Sequence, residues 1–153
     1  MQRDFEIRGG IRLAQGGREV DLHNHFKFLG FEYSVADQRI RLRWQNGRFS
    51  PPEVNPFEFV IIEFRGVTEF RFLPRNADLP FTEDDCLRSF GYWTDDKEWA
   101  KGVFMIDPTQ EAWEDWLTAL EFMSGGILLV QAESGHAFLE RMEGLGSDRV
   151  GGS

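Results

Sequence analysis

Residues 39–45 alternate arginines with large apolar side chains, and this period of two constrains the fold more than any other feature. Ile40, Leu42 and Trp44 fall on one side of the segment, and three arginines fall on the other. Such alternation is typical of a β-strand with one buried face. Residues 57–64 are apolar on both faces around 59–62, which predicts a strand in the middle of a sheet.

Shorter segments predict further strands before and after these two. They cover 5–7, 11–13, 26–35, 67–73 and 102–106, and an apolar run predicts another strand at 127–132. The connections between most of these segments are short, which favours antiparallel pairing of consecutive strands. The pattern of residues 133–142 fits either a strand or a short helix.

Two segments carry the signals of a helix start. Asp107 can cap a helix, Pro108 suits its first position and Gln110 occupies the capping-box position, so we predict a long helix over about 108–123. One face of that helix follows the spacing of a buried stripe: Trp113, Trp116, Leu117, Leu120 and Met123. Thr82 and the acidic residues after it predict a shorter helix near 83–90.

These elements together predict an α+β fold. We expect a curved, mainly antiparallel β-sheet with the long helix packed on one face. A length of 153 residues favours a single domain, which we assign to 1–143, and the glycine-rich residues 144–153 are expected to form a flexible C-terminal tail.

The charge balance limits the partners that the chain can have. It holds 17 Lys and Arg against 26 Asp and Glu, for a net charge of −9. Nucleic acid is therefore disfavoured, and a basic protein partner is favoured. The sequence has no apolar run of membrane-spanning length, no secretory pattern at its start and a single cysteine, so we expect a cytoplasmic protein with no membrane partner. Its oligomeric state stays open.

The motif Asp21-Leu22-His23-Asn24-His25 is the strongest indication of metal chemistry. His-x-His can direct two imidazoles to one side of a strand, where Asp21 could complete a site for a divalent transition metal. The motif resembles the first metal-binding motif of the polymerase-and-histidinol-phosphatase phosphoesterases. That family needs further His and Asp ligands, whereas His136 is the only other histidine here. The alternative is a turn whose polar side chains bond to the backbone.

Two other groups could be read as nucleophiles. Ser134-Gly135-His136 lacks the Gly-x-Ser-x-Gly pattern of a nucleophile elbow, so we do not expect a catalytic serine there. Cys86 follows three acidic residues, which would raise the pKa of its thiol and favour an inert side chain. We identify no catalytic residue and expect no cofactor.

A segment that mixes aromatic and acidic residues is the best candidate for partner binding. It contains Tyr92, Trp93, Asp95, Asp96 and Trp99, outside any strongly patterned element. Exposed aromatic residues among charges are typical of protein-binding surfaces. The alternative is that these rings cover the core beneath a loop.

Three short motifs resemble a pattern in small bacterial proteins. They are Leu22-His23, Leu42-Arg43-Trp44 at the end of a hairpin, and Glu63-Phe64-Arg65-Gly66-Val67. Some families with this pattern are identified as immunity proteins of polymorphic toxin systems. The resemblance covers about a third of the chain and implies a class of function, with no site residues attached.

The leading hypothesis is therefore a non-enzymatic bacterial protein-binding module, of the toxin-immunity type. The alternative is a metal-dependent hydrolase that uses the His-x-His site. A third hypothesis is a small-ligand pocket between the sheet and the long helix, lined by phenylalanines.

Overall fold

The computed structural model describes residues 1–47, 52–96, 98–107 and 109–142. Within these ranges the chain is almost entirely β-structure. The strands are β1 (Gln2–Arg3), β2 (Glu6–Arg8), β3 (Arg12–Gln15), β4 (Arg18–Asp21), β5 (Phe26–Ser34), β6 (Arg39–Asn46), β7 (Phe57–Leu73), β8 (Leu87–Trp93), β9 (Leu117–Phe122) and β10 (Ile127–Arg141). A 3-10 helix, Phe81–Asp85, precedes β8.

One curled sheet contains most of the strands. Its order is β5-β6-β7-β10-β9-β8, with every pair antiparallel, and β1 joins β10 in parallel through Ser134 and Gly135. The long strands β7 and β10 pair along almost their whole length and form the centre of the sheet. A small sheet of order β2-β3-β4 lies beside it.

The main core fills the inner face of the curl. Ile40, Leu42 and Trp44 of β6 are fully buried there, which confirms the face that the alternation predicted. Leu13 from the small sheet packs into the same cluster. A contact between the rings of Phe28 and Phe122, with centroids 4.6 Å apart, joins the edge strand β5 to β9 across the inner face of the curl.

A second cluster lies on the opposite face of the same sheet. Leu117 and Ala119 of β9 are buried in it, whereas Leu120 and Phe122 of the same strand point into the main core. Trp93 and Val103 pack on this second cluster. Strand β9 is therefore buried on both faces, which is the burial expected of a strand covered from two sides.

The antiparallel sheet and the predicted hairpin of residues 26–45 are confirmed. Strands β5 and β6 pair as expected, with a bulge between Phe28 and Gly30. Strand β7 combines the two predicted segments on either side of Gly66, whose φ of +66° suits a glycine at this irregularity. Residues 133–141 belong to β10, so the strand alternative holds for them.

The predicted long helix over 108–123 is wrong. Part of its capping box does form, because Thr109 N donates to Asp107 Oδ1 at 2.8 Å and Asp107 N donates to Gln110 Oε1 at 3.0 Å. It closes one turn, and the chain then enters β9, which pairs with β8 and β10. Pairing on both sides of β9 outweighs a helical spacing that arose by coincidence, so the fold is not α+β.

The predicted helix near 83–90 is also wrong in its second half. The 3-10 helix ends at Asp85, and Leu87 begins β8. Residues 102–106 contribute one isolated bridge, between Phe104 and Tyr92, in place of the expected strand. The expected tail, 144–153, lies outside the described residues. No helix in the described ranges has the length and apolar character needed to cross a bilayer.

Candidate partner-binding surface

Residues 94–116 connect β8 to β9, and the described part of this connection returns to the edge of β8. Tyr92 N donates to Phe104 O at 2.7 Å, and Phe104 N donates to Tyr92 O at 2.9 Å. Gly91 makes this approach possible, because a Cβ atom there would collide with the Phe104 carbonyl. The connection therefore pairs with the edge strand β8 at Tyr92, and this bridge positions Phe104 and the rings packed on it.

Three tryptophans of this connection form an aromatic surface. The planes of Trp99, Trp113 and Trp116 lie within 17–21° of one another, with centroids 5.2 to 6.2 Å apart. Phe104 meets Trp99 and Trp116 edge-on, at 4.9 Å in both cases. We call Trp99, Trp113 and Trp116, with Tyr92 and Phe104 behind them, the tryptophan surface.

The tryptophan surface is open to solvent. Trp99 is 56% exposed and Trp113 is 65% exposed, although tryptophan is among the residues most often covered in folded proteins. Contact with one another orders the rings, so a partner would meet a surface that is already arranged. Exposed aromatic clusters of this kind mark interaction sites more often than isolated apolar side chains do.

Acidic residues accompany the tryptophans. Residues 94–116 hold seven Asp and Glu against two Lys, a net charge of −5. Glu98, Glu111, Glu114 and Asp115 are exposed, and their carboxylates form no ion pair with any described residue. Their negative charge is therefore available to an incoming cation.

The partner-binding residues predicted from the sequence do not all lie on the tryptophan surface. Tyr92 and Trp99 belong to the tryptophan surface. Trp93 lies on the other side of β8, where it packs on the second cluster and donates to Asp95 at 3.3 Å. Asp95 also accepts from Arg71 at 3.1 Å, and the Asp96 carboxylate accepts from Glu98 N at 3.1 Å within a turn.

Trp113 and Trp116 were missed as candidates for this surface. Sequence reasoning assigned both to the buried face of a helix, whereas Trp113 is one of the most exposed aromatic residues described. The available signal was composition, since Trp99, Trp113 and Trp116 are three of the chain's five tryptophans and lie within 18 residues of one another.

Asp21 and His23 make different side-chain contacts, and His25 contributes its backbone N–H, which donates to Asp21 O at 3.1 Å. Asp21 accepts from Asn24 N and from Asn24 Nδ2, both at 2.8 Å, and so closes the turn between β4 and β5. His23 Nδ1 donates to Leu87 O at 2.6 Å. Asp21 therefore closes the turn and His23 bonds to the start of β8, and the metal site predicted for Asp21, His23 and His25 stays a prediction.

Cys86 lies next to His23, with Sγ 3.5 Å from Nδ1. A carbonyl oxygen only accepts, so the short contact with Leu87 O requires the proton to be on Nδ1. That nitrogen cannot accept the proton of the thiol. The arrangement is consistent with the inert, buried cysteine expected from the sequence.

Ser134, His136 and Asp4 are connected in the order of a hydrolase triad. Ser134 Oγ is 3.0 Å from His136 Nε2, and His136 Nδ1 is 3.2 Å from Asp4 Oδ2. Nucleophilic catalysis also needs backbone N–H groups that converge on the oxyanion. Around Ser134 the backbone pairs with β1 on one side and β7 on the other. The contacts instead join the N-terminal strand to β10.

The described residues contain no group of three or more His, Cys, Asp or Glu side chains that could hold a metal ion. Comparison with family models, with curated proteins and with solved structures gave no match. The functional argument therefore rests on this chain's own residues, among which the tryptophan surface is the most distinct feature.

Proposed function

We propose that this chain is a non-enzymatic protein-binding module that uses the tryptophan surface to hold a basic partner protein. One observation carries the proposal: three indole rings lie in nearly parallel planes, and two of them are more than half exposed. Large aromatic side chains supply much of the binding energy of protein interfaces, because they bury area at a low cost in conformational entropy.

The chemistry of the surface favours cations as its ligands. An indole face attracts a guanidinium or an ammonium group through its quadrupole. The exposed carboxylates around it add long-range attraction and speed the encounter with a positively charged protein. We therefore expect arginines or lysines of the partner to lie against Trp99 and Trp113.

The resemblance to immunity proteins of polymorphic toxin systems makes a basic toxin a concrete candidate for this partner. In such a pair the module would act by covering part of the toxin, and it would need no catalytic group of its own. This identification rests on short motifs, whereas the preference for a basic partner rests on the geometry and charge of the tryptophan surface.

Capture of the partner tests the proposal. The tagged chain is exposed to a lysate of its own source cells in about 0.05 M and in about 0.5 M salt, where screening differs strongly. We expect one stoichiometric, basic protein at low salt and less of it at high salt. A well-folded chain that retains no such protein would contradict the proposal.

A pair of charge variants tests whether the captured protein binds at the tryptophan surface. The test variant carries Glu111→Gln, Glu114→Gln and Asp115→Asn, and the control variant carries Glu32→Gln, Glu53→Gln and Glu140→Gln, three exposed acids outside residues 94–116. Both lose the same net charge. Capture should fall for the test variant alone, and equal losses would mean that only the overall charge matters.

A further inference from the structure

A cavity of about 640 Å³ lies between the N-terminal strands and the segment that carries Trp113 and Trp116. Polar side chains contribute a large part of its walls, and several apolar rings contribute the rest. Among them are Arg3, Phe90, Tyr92, Thr118, Trp113 and Trp116. A concave site of this volume is large enough for a small molecule, and its polar groups can fix the orientation of that molecule.

Arg3 brings a largely buried positive charge to this cavity. Its Nη1 donates to Tyr92 Oη at 2.9 Å, and its Nη2 donates to Thr118 Oγ1 at 2.7 Å. Burial lowers the pKa of Arg3 from its ordinary value, and the Tyr92 oxygen acts against that shift. An arginine still remains protonated at neutral pH. Among the described residues, no carboxylate forms an ion pair with it.

The hydroxyl groups of Tyr92 and Thr118 add two hydrogen-bond donors to the site. Each uses its oxygen to accept from Arg3, so each keeps its own proton for another acceptor. Thr118 is only 2% exposed, and neither hydroxyl donates to a described residue. A buried donor without an acceptor is unfavourable, as is a buried cation without a counter-charge. A single anionic acceptor would therefore satisfy the guanidinium and both hydroxyls.

The cavity also limits which anion can bind. Four acids also line it (Glu6, Asp107, Glu111 and Glu114), but they are exposed, so water screens their charge. These acids oppose a dianion such as phosphate more strongly than a singly charged group. A carboxylate matches the planar guanidinium fork, and the rings of Phe90, Trp113 and Trp116 suit an aromatic body.

We propose that this cavity binds a small aromatic monocarboxylate, whose carboxylate pairs with Arg3 and accepts from Tyr92 and Thr118. The inference goes beyond the proposed partner binding because it concerns a different ligand, whose carboxylate pairs with Arg3. The cavity and the tryptophan surface share Tyr92, Trp113 and Trp116.

Calorimetric titration with 3-phenylpropionate and with 3-phenylpropan-1-ol tests the proposal on the full chain. The two probes share the aromatic body and differ in the carboxylate. We expect saturable binding of the acid and at least tenfold weaker binding of the alcohol. Equal affinities, or no binding of the acid, would overturn the proposal.

Variants test whether Arg3, Tyr92 and Thr118 cause the preference for the acid over the alcohol. Arg3→Gln should abolish the preference for the acid, and Arg12→Gln, an exposed arginine outside the cavity, should leave it unchanged. Since Arg3→Gln could disturb the N-terminal strand, the double variant Tyr92→Phe and Thr118→Val removes both hydroxyls while keeping the side-chain shapes. It should weaken binding of the acid severalfold and leave that of the alcohol unchanged. A preference that survives in both variants would contradict the assignment.

Discussion

Gly91 is the residue on which the tryptophan surface depends most directly. It lets the Phe104 carbonyl approach β8 more closely than any side chain would allow, and this approach positions the connection that carries the tryptophans. The geometry of the tryptophan surface thus depends on the absence of a side chain at position 91 as well as on the aromatic rings.

We predict that Gly91→Ala disrupts the surface while leaving the main core folded. The added methyl group meets backbone rather than a movable side chain, and overpacking of this kind costs about 1–3 kcal/mol. The near-ultraviolet circular dichroism of the tryptophans should change, and the free energy of unfolding should fall.

Gly126→Ala is the matched control for this prediction. A Cβ atom there would make only ordinary contacts, the nearest at 3.5 Å from Phe72. If the two variants gave the same spectrum and the same stability, the proposed role of Gly91 would be wrong.

Residue identity alone did not reveal this site. Tyr92 and Trp99 could be selected from the sequence because they stand among acids. Trp113 and Trp116 could not, because their spacing from Leu117 and Leu120 also fits one face of a helix. The contact between Gly91 and Phe104 joins residues 13 apart through a turn that no local pattern specifies.

Strand β9 is the element whose prediction failed most clearly, and the reason is physical. A strand buried on both faces has no period-two alternation to identify it. Leu117–Phe122 therefore kept only an accidental helical spacing, behind a capping box that does form. Strands β6 and β7 were predictable because one shows a clean alternation and the other a β-rich apolar run.

The 3-10 helix before β8 is attached to the loop after β7 by an ion pair. Arg75 Nε donates to Asp84 Oδ1 at 2.8 Å. Hydrogen bonds from Arg75 and then Ser124 lower the pKa of Asp84 below its ordinary value. The folded state thus prefers the deprotonated carboxylate. Its contribution to stability is complete above the ordinary pKa of about 3.9 and is lost as pH falls through the lowered value.

We predict that Asp84→Asn lowers the melting temperature at pH 7. The difference from the unmodified chain should shrink as the pH falls below about 4, since both chains then lack the charge. Asp78→Asn is the control, because its exposed carboxylate forms no contact with a described residue. A difference for Asp84→Asn that stays constant from pH 7 to pH 3 would contradict this role.

At the scale of the whole molecule, charge and aromatic surface lie on the same connection. Residues 94–116 carry a net charge of −5 out of −9 for the chain. If the proposed function holds, this concentration of charge should speed association with a basic protein, and the rings should set the dissociation rate of the complex.

We predict that salt acts on the association rate constant of the captured partner. Raising the salt concentration from about 0.05 M to about 0.5 M should lower that constant on the order of tenfold and change the dissociation rate constant much less. Surface plasmon resonance measures both. A salt effect confined to dissociation would mean that the exposed acids do not steer the encounter.

The dissociation constant of the partner for a tryptophan variant tests the central claim most directly. The test variant is Trp99→Ala with Trp113→Ala, and the control is Phe81→Ala, which removes an aromatic ring that is 82% exposed and outside the tryptophan surface. Loss of two central anchors should raise the dissociation constant roughly 30-fold or more, whereas the control should change it less than about twofold. A test variant that binds its partner as tightly as the control would contradict the account.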